Sequence, residues 1–69
     1  MAYILTFDRK GKKPLYFKRL QPCGLPEDTL NRDKARKFKQ LDAAQLYADR
    51  LNYYNDAAGV AGAYEIENI

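Results

Sequence analysis

A stretch of helical periodicity between residues 41 and 59 constrains the fold of this chain more than any other part of it. At about 100° per residue, its apolar side chains fall on one stripe. The members of this first stripe are Ala44, Tyr47, Ala48, Leu51, Tyr54 and Ala58. Because the alanines keep the stripe shallow, the pattern predicts a helix over residues 42–58 that a sheet can approach closely.

Both ends of the predicted helix carry capping signals. Asp42 is a favourable N-cap because its carboxylate accepts from the free amides of the first turn, where the helix dipole is positive. Gln45 is placed to complete a capping box with Asp42, and Leu41 and Leu46 have the spacing of a hydrophobic staple. Gly59 fits the left-handed position that closes a helix.

A second stripe, formed by Leu46, Arg50, Tyr53 and Ala57, runs along the opposite side of the same helix. Large apolar side chains on an outer helix face are typical of a contact surface. Leu46, Arg50 and Tyr53 are therefore candidate residues for binding a partner or for self-association into a homodimer. In the alternative interpretation, Leu46 serves only the staple and Tyr53 lies flat on the surface.

The remaining segments predict short strands and one irregular loop. Alternating apolar residues on either side of a Gly- and Pro-containing turn indicate a β-hairpin with a basic tip. Pro22, Gly24 and Pro26 indicate irregular structure before a strand that carries Phe38 inward. The predicted segments are the hairpin at 2–20, the irregular loop at 21–34, a strand at 35–39, the helix at 42–58 and a final strand at 62–67.

This order, β-β-β-α-β, predicts an α+β fold in one small domain spanning residues 1–69. We expect a small antiparallel or mixed sheet of three to four strands packed against one long helix. The rival arrangement is β-β-β-α with a loosely attached C-terminus. The residues expected to meet between sheet and helix are Tyr3 or Leu5, Phe17, Phe38, Ala48, Leu51 and Ile66.

The composition argues against enzymes and metalloproteins. The chain has no histidine, no serine and a single cysteine, Cys23. A catalytic thiolate needs a general base and structural zinc needs several Cys or His ligands, so we expect no catalytic residue, no cofactor and no metal site. No apolar run approaches the roughly 20 residues of a membrane span, and no secretory signal pattern is present. An unpaired cysteine then favours the reducing cytoplasm.

The charge is divided unevenly along the chain. The net charge of +3 combines a balance of +7 over residues 1–40 with −4 over residues 41–69. A basic region with an outward tyrosine predicts a surface that binds nucleic acid or an acidic protein. Its candidate residues are Lys12, Lys13, Tyr16, Lys18, Arg19, Arg36, Lys37 and Lys39, with Arg9 and Lys10 also at the hairpin tip. A solvated lysine-rich face is the alternative, and Glu65 and Glu67 are placed to pair with it across the sheet.

Part of the chain resembles small accessory proteins encoded by phages and prophages. The likeness lies in Ala35-x-x-Phe38, then Ala44 and Ala48, and a short Tyr-Glu-Ile-Glu strand, and it covers residues 35–67. In those proteins an aromatic-bearing strand enters an Ala-rich helix and a brief strand closes the sheet. The resemblance implies a non-enzymatic protein that binds a host or phage protein, such as an inhibitor of a host defence or nucleic-acid-processing protein.

The predicted architecture also resembles a DNA-binding module. A three-stranded sheet backed by a helix is similar to the amino-terminal arm-binding domains of tyrosine recombinases, which read DNA with their sheet. That likeness implies a small nucleic-acid-binding module as the alternative function, although the chain has no recognisable base-reading motif.

Overall fold

The structure, a computed structural model, describes residues 2–9, 11–60 and 62–69. It confirms the predicted α+β class, because four antiparallel strands form one sheet and one long helix packs against it. The elements in chain order are β1 (Tyr3–Asp8), β2 (Leu15–Leu20), β3 (Pro26–Thr29), a short 3-10 helix (Arg32–Lys34), α1 (Leu41–Ala57) and β4 (Ala63–Asn68).

The sheet has the strand order β3-β2-β1-β4, and all its pairings are antiparallel. β1 lies inside the sheet, and its residues Ile4 and Leu5 are both fully buried although they point to opposite faces. This burial explains why β1 is nearly continuous in apolar residues. β4 pairs with β1 along its whole length, so the loosely attached C-terminus of the rival arrangement does not occur.

The third strand lies in a segment that the sequence predicted to be irregular. β3 falls inside residues 21–34, and a tight turn joins it to β2. In that turn the Gly24 amide donates to the Gln21 carbonyl at 2.8 Å, and the Gln21 amide donates to the Leu25 carbonyl at 2.8 Å. Pro22 occupies the second turn position and Gly24 has φ 92°, so the two presumed breakers are the residues that this hairpin turn requires.

The segment 35–39, predicted as the third strand, makes only one isolated bridge. Phe38 and Tyr3 exchange two backbone hydrogen bonds of 2.8 Å, and the Arg36 amide donates to the Phe17 carbonyl at 2.9 Å. The segment therefore joins the start of β1 to the middle of β2, where these two strands no longer pair with each other. Phe38 is buried, as predicted.

The helix begins one residue earlier than predicted, and its predicted capping box is wrong. Gln40 is the N-cap and makes no side-chain cap bond, while Leu41 and Asp42 already belong to α1. The Gln45 amide group donates to the Asp49 carboxylate at 2.8 Å instead of reaching back. With Leu41 helical, the staple spacing is lost as well, because that motif requires an apolar residue before the cap.

The C-terminal end of α1 follows the prediction. Gly59 has φ 73°, and its amide donates to the Asp56 carbonyl at 3.1 Å. The Val60 amide donates to the Asn55 carbonyl at 2.8 Å, which completes a Schellman motif. A side chain at Gly59 would strain this left-handed conformation.

The main core lies between α1 and the sheet. Its buried members are Leu5, Phe7, Phe17, Phe38, Ala44, Ala48, Leu51 and Tyr64, with Tyr3 and Ile66 partly buried against them. All the predicted core residues are therefore buried or packed on the core, and Phe7 and Tyr64 are additions. The buried part of the first stripe of α1 ends at Leu51. Tyr54 and Ala58, which were predicted to face the sheet, are exposed.

Candidate protein-binding site

An apolar groove of about 970 Å³ lies between α1 and the turn that joins β2 to β3. We call it the groove throughout. The turn contributes Leu20, Cys23, Gly24, Leu25 and Pro26, and the helix contributes Tyr47, Leu51 and the outward residues Leu46, Asp49, Arg50, Tyr53 and Tyr54. Asn55, Ala58 and Val60 complete the lining.

The groove exposes large apolar side chains to solvent. Tyr53 is 73% exposed, Tyr54 67% and Leu25 64%, and Leu20, Leu46 and Val60 are also exposed. Burying apolar area stabilises a complex by roughly 25 cal/mol per Å², so a partner that covers these side chains gains binding free energy from each of them. Contiguous exposed apolar surface of this kind marks interaction sites in small domains.

Two tyrosines give the helix wall of the groove a defined shape. The rings of Tyr53 and Tyr54 lie 6.0 Å apart at an interplanar angle of 77°, an edge-to-face arrangement. Edge-to-face arrangement is one of the geometries that aromatic pairs prefer. Tyrosine is among the residues that occur most often as hot spots of protein interfaces.

A polar contact on the helix-facing side of the sheet lies next to the turn wall. The Tyr64 hydroxyl on β4 donates to Asp28 on β3 at 2.9 and 2.8 Å, and Asp28 follows closely on the groove residue Pro26. Burial raises the pKa of Asp28, while the Tyr64 hydrogen bond and the charge of Arg9 oppose that rise. Burial, and then the Asp28 carboxylate, raise the pKa of the Tyr64 hydroxyl far above its ordinary value. We therefore assign this pair a structural role, as a hydrogen bond that connects β4 to β3.

The basic residues of β2 are paired within the fold. Lys18 and Arg19 both form ion pairs with Glu27 on β3, at 3.4 and 3.3 Å. The hydrogen bond from Arg19 holds the pKa of Glu27 below its ordinary value, and Lys18 adds to that effect. The Arg32 guanidinium pairs with Glu67 at 3.1 Å in the same manner. These cations are thus partly neutralised by the protein itself.

Arg36 is held against aromatic rings. Its guanidinium carbon lies 5.1 Å from the Phe38 ring centroid and 4.9 Å from that of Tyr47. A guanidinium nitrogen of Arg36 also donates to the Tyr47 hydroxyl at 3.4 Å. Lys37 donates from its ammonium group to the Asp33 carbonyl at 3.4 Å. The structure therefore gives both predicted binding residues intramolecular contacts.

Four of the candidate lysines lie near the two ends of β1. Lys12 and Lys13 follow the end of β1, whereas Lys37 and Lys39 flank Phe38, which pairs with the first residue of β1. β1 spans roughly 17 Å from Tyr3 to Asp8, at about 3.3 Å per residue, so the two groups adjoin opposite ends of this strand. Lys10 lies outside the described residues.

Tyr16, predicted to stand among basic residues, lies beside acids. It pairs with Thr6 on β1 and lines a shallow depression with Glu65 and Glu67. This position makes it a poor platform for a nucleotide base, because a phosphate backbone nearby would meet the two carboxylates.

The self-association candidates Leu46, Arg50 and Tyr53 all line the groove and are exposed. A homodimer through them stays a prediction.

The turn wall, with Leu20 and Leu25, was missed because residues 21–34 were predicted to be irregular. The signal that indicates it is Pro22 followed by Gly24, which places the two leucines on either side of a hairpin turn.

Cys23 is exposed in the turn wall, with its Sγ 3.8 Å from the Gln21 side-chain oxygen. Within residues 2–9, 11–60 and 62–69, no cluster of three or more His, Cys, Asp or Glu side chains is arranged to hold a metal ion. Over the same residues, no helix has the length and apolar character needed to cross a membrane.

Comparison with known proteins found no match: no family model fits the sequence, and no curated protein or solved structure is significantly similar to the chain.

Proposed function

We propose that this chain is a small non-enzymatic accessory protein that acts by binding another protein, and that the groove is its binding site. The observation that carries the proposal is the exposure of large apolar side chains on both walls of the groove. A domain of this size has few apolar residues beyond those of its core. The exposure of several of them on one surface therefore favours a binding role.

The distribution of charge supports a protein partner over nucleic acid. Lys18, Arg19 and Arg32 pair with acids of the fold, and the remaining candidate lysines adjoin opposite ends of β1. Backbone recognition of nucleic acid instead depends on several cations that reach successive phosphates.

The phage-type role remains part of the proposal. The resemblance of residues 35–67 to phage and prophage accessory proteins favours inhibition of a host defence or nucleic-acid-processing protein. A cytoplasmic place of action accords with the unpaired Cys23. The buried Ala44 and Ala48 and the inward Phe38, on which the resemblance rests, serve here to pack α1 closely on the sheet.

Capture from host lysate with and without nuclease tests the proposal. We expect the wild-type chain to retain a defined protein after nuclease treatment, and Tyr53→Glu to lose it because a charge in the groove opposes burial. Leu30→Glu is the matched control, because Leu30 is 64% exposed and does not line the groove. Equal capture by wild type and Tyr53→Glu, or loss of all capture with nuclease, would contradict a protein-binding groove.

Nucleic-acid binding is the second candidate function. The observation that favours it is the exposed pair Lys12 and Lys13 at the tip of the β1–β2 hairpin, with Lys39 exposed elsewhere. No ion pair involves these three lysines among the described residues. Lysines that are exposed and unpaired are available for electrostatic contact with phosphates, and salt dependence tests this function separately.

A further inference from the structure

The groove has an acidic border along α1. Asp42, Asp49 and Asp56 are seven residues apart and exposed, so they form an acidic line on one flank of the second stripe. Seven residues correspond to nearly two helical turns, or about 10.5 Å along the axis. Asp49 also lines the groove.

The C-terminal end of α1 adds negative potential to this border. Its last turn contains no basic residue, although the negative end of the helix dipole favours cations there. Arg50 is the single cation of the helix and lies within the apolar lining. The opposite wall, from Leu20 to Pro26, has no charged side chain. The groove therefore combines apolar walls with one acidic edge.

We propose that the partner bound in the groove is a cationic amphipathic helix of another protein. Its apolar side would cover Leu25, Leu46 and Tyr53, and its Lys or Arg residues, repeated every seven positions, would lie along the acidic line. Helices that pack side by side match their flanking charges in this way. The inference rests on the proposed function, because it names the partner of the same groove.

A second copy of this chain fits the groove less well. In an antiparallel pair of helices, the same flank of each helix faces that of its partner, so the acidic lines of two copies of α1 would lie against each other. In a parallel pair, Arg50 would face its own equivalent across the seam. Both arrangements place like charges together, which disfavours the pairing.

Three synthetic peptides of about 21 residues test the chemistry of the partner. The first has leucine along one helical side and lysine on its flanks; the second has glutamate in place of lysine; the third has the composition of the first in scrambled order. By fluorescence anisotropy, we expect the lysine peptide to bind at least about tenfold more tightly than the other two. Its affinity should fall as salt screens the flanking charges.

Variants of the chain assign the preference to the acidic line. Asp49→Lys combined with Asp56→Lys should reverse the preference, so that the glutamate peptide binds more tightly than the lysine peptide. The milder pair Asp49→Asn and Asp56→Asn should abolish the preference, and circular dichroism checks that both variants fold. Tyr53→Ser, which removes the apolar ring and adds no charge beside the acidic line, should weaken binding of the lysine peptide at least about tenfold, whereas Leu30→Ser should leave it unchanged.

Three results would overturn the inference: equal affinity for the lysine and glutamate peptides, equal affinity for the scrambled peptide, or a preference unaffected by the Asp49 and Asp56 changes. Sedimentation of the free chain as a dimer that Tyr53→Glu dissociates would assign the groove to a second copy and also overturn it. If Tyr53→Glu loses the captured lysate protein while the lysine peptide has no advantage, the protein-binding function stands and only the cationic helix is rejected.

Discussion

The Tyr64 hydroxyl on β4 donates to both carboxylate oxygens of Asp28 on β3, at 2.9 and 2.8 Å, and so connects the two outermost strands of the sheet. The Tyr64 ring crosses the sheet beside Phe7, with centroids 4.8 Å apart, and meets Phe17 edge-on at 6.3 Å. Tyr64, a core residue, thus places its hydroxyl group against β3, just after the turn wall ends at Pro26. The contact lies two residues beyond the groove residue Pro26.

Ionisation of Asp28 should lower the stability of the fold. Because burial raises its folded-state pKa above the unfolded value of about 3.9, the folded protein holds this proton more tightly. The contribution is fully present below the unfolded pKa and is lost as pH rises through the folded pKa. In urea unfolding from pH 3 to 7, Asp28→Asn should gain stability relative to wild type as pH rises. Asp33→Asn, at an exposed site, controls for the change in net charge.

A decline of the Asp28→Asn advantage with rising pH would contradict this assignment.

Tyr64→Phe provides the complementary test, because it removes the hydroxyl that donates to the half-buried Asp28 carboxylate. We expect that change to cost about 1–3 kcal/mol at pH 7 and less when combined with Asp28→Asn, since the amide carries no charge. Wild-type stability should also fall above about pH 10, where the unfolded tyrosine ionises and the folded one does not.

Asn52 should protect the outer edge of β4. Its side-chain oxygen accepts from the Tyr64 amide at 2.7 Å and its nitrogen donates to the Tyr64 carbonyl at 3.1 Å, as a neighbouring strand would. Asn52→Leu leaves both groups without these bonds and should cost about 1–3 kcal/mol for each one left unsatisfied. Asn52→Asp keeps the acceptor alone and should lie between wild type and Asn52→Leu. Urea unfolding gives this order, and faster hydrogen exchange at the Tyr64 amide locates the effect.

Truncation of Phe38 should unfold or nearly unfold the protein. The side chain is buried, contacts the Tyr47 ring with centroids 5.2 Å apart, and receives the Arg36 guanidinium. Phe38→Ala should cost about 3–5 kcal/mol, which is comparable to the whole stability of a domain this small. Tyr54→Ala is the control, because Tyr54 lies on α1 but is exposed in the groove. A thermal midpoint for Phe38→Ala within a few degrees of the control would contradict the role of Phe38 as a core residue.

Salt dependence decides whether the basic residues bind nucleic acid. If Lys12 and Lys13 contact phosphates, the logarithm of affinity for a duplex should fall by roughly 0.9 per contact for each log unit of salt. Lys12→Gln should then reduce that slope by about one without changing sequence preference, whereas Arg19→Gln should change it less because Arg19 pairs with Glu27. Absence of any mobility shift at low salt would exclude this function. An affinity without salt dependence would contradict phosphate contact.

The sequence by itself determined the elements whose signals are local. The spacing of Ala44, Ala48 and Leu51 predicted the buried side of α1, because helical periodicity alone decides which residues share a face. Gly59 predicted the end of the helix for the same kind of reason, since a left-handed residue is needed there whatever surrounds it. The alternation of β1 and β2 likewise predicted a hairpin.

Tertiary structure decided everything that depends on which segments meet. Phe38 pairs with Tyr3 instead of extending a strand along β2, because β3 occupies the outer edge of β2. Tyr54 follows the periodicity of the buried stripe, yet it is exposed, because the described residues of the sheet do not cover its side chain. The charges of Lys18, Arg19 and Arg32 look alike in the sequence. Only their ion pairs with Glu27 across the β2–β3 hairpin and with Glu67 on β4 distinguish them from the lysines that make no ion pair among the described residues. Such pairs depend on which strands become neighbours in the sheet, and no local pattern encodes that choice.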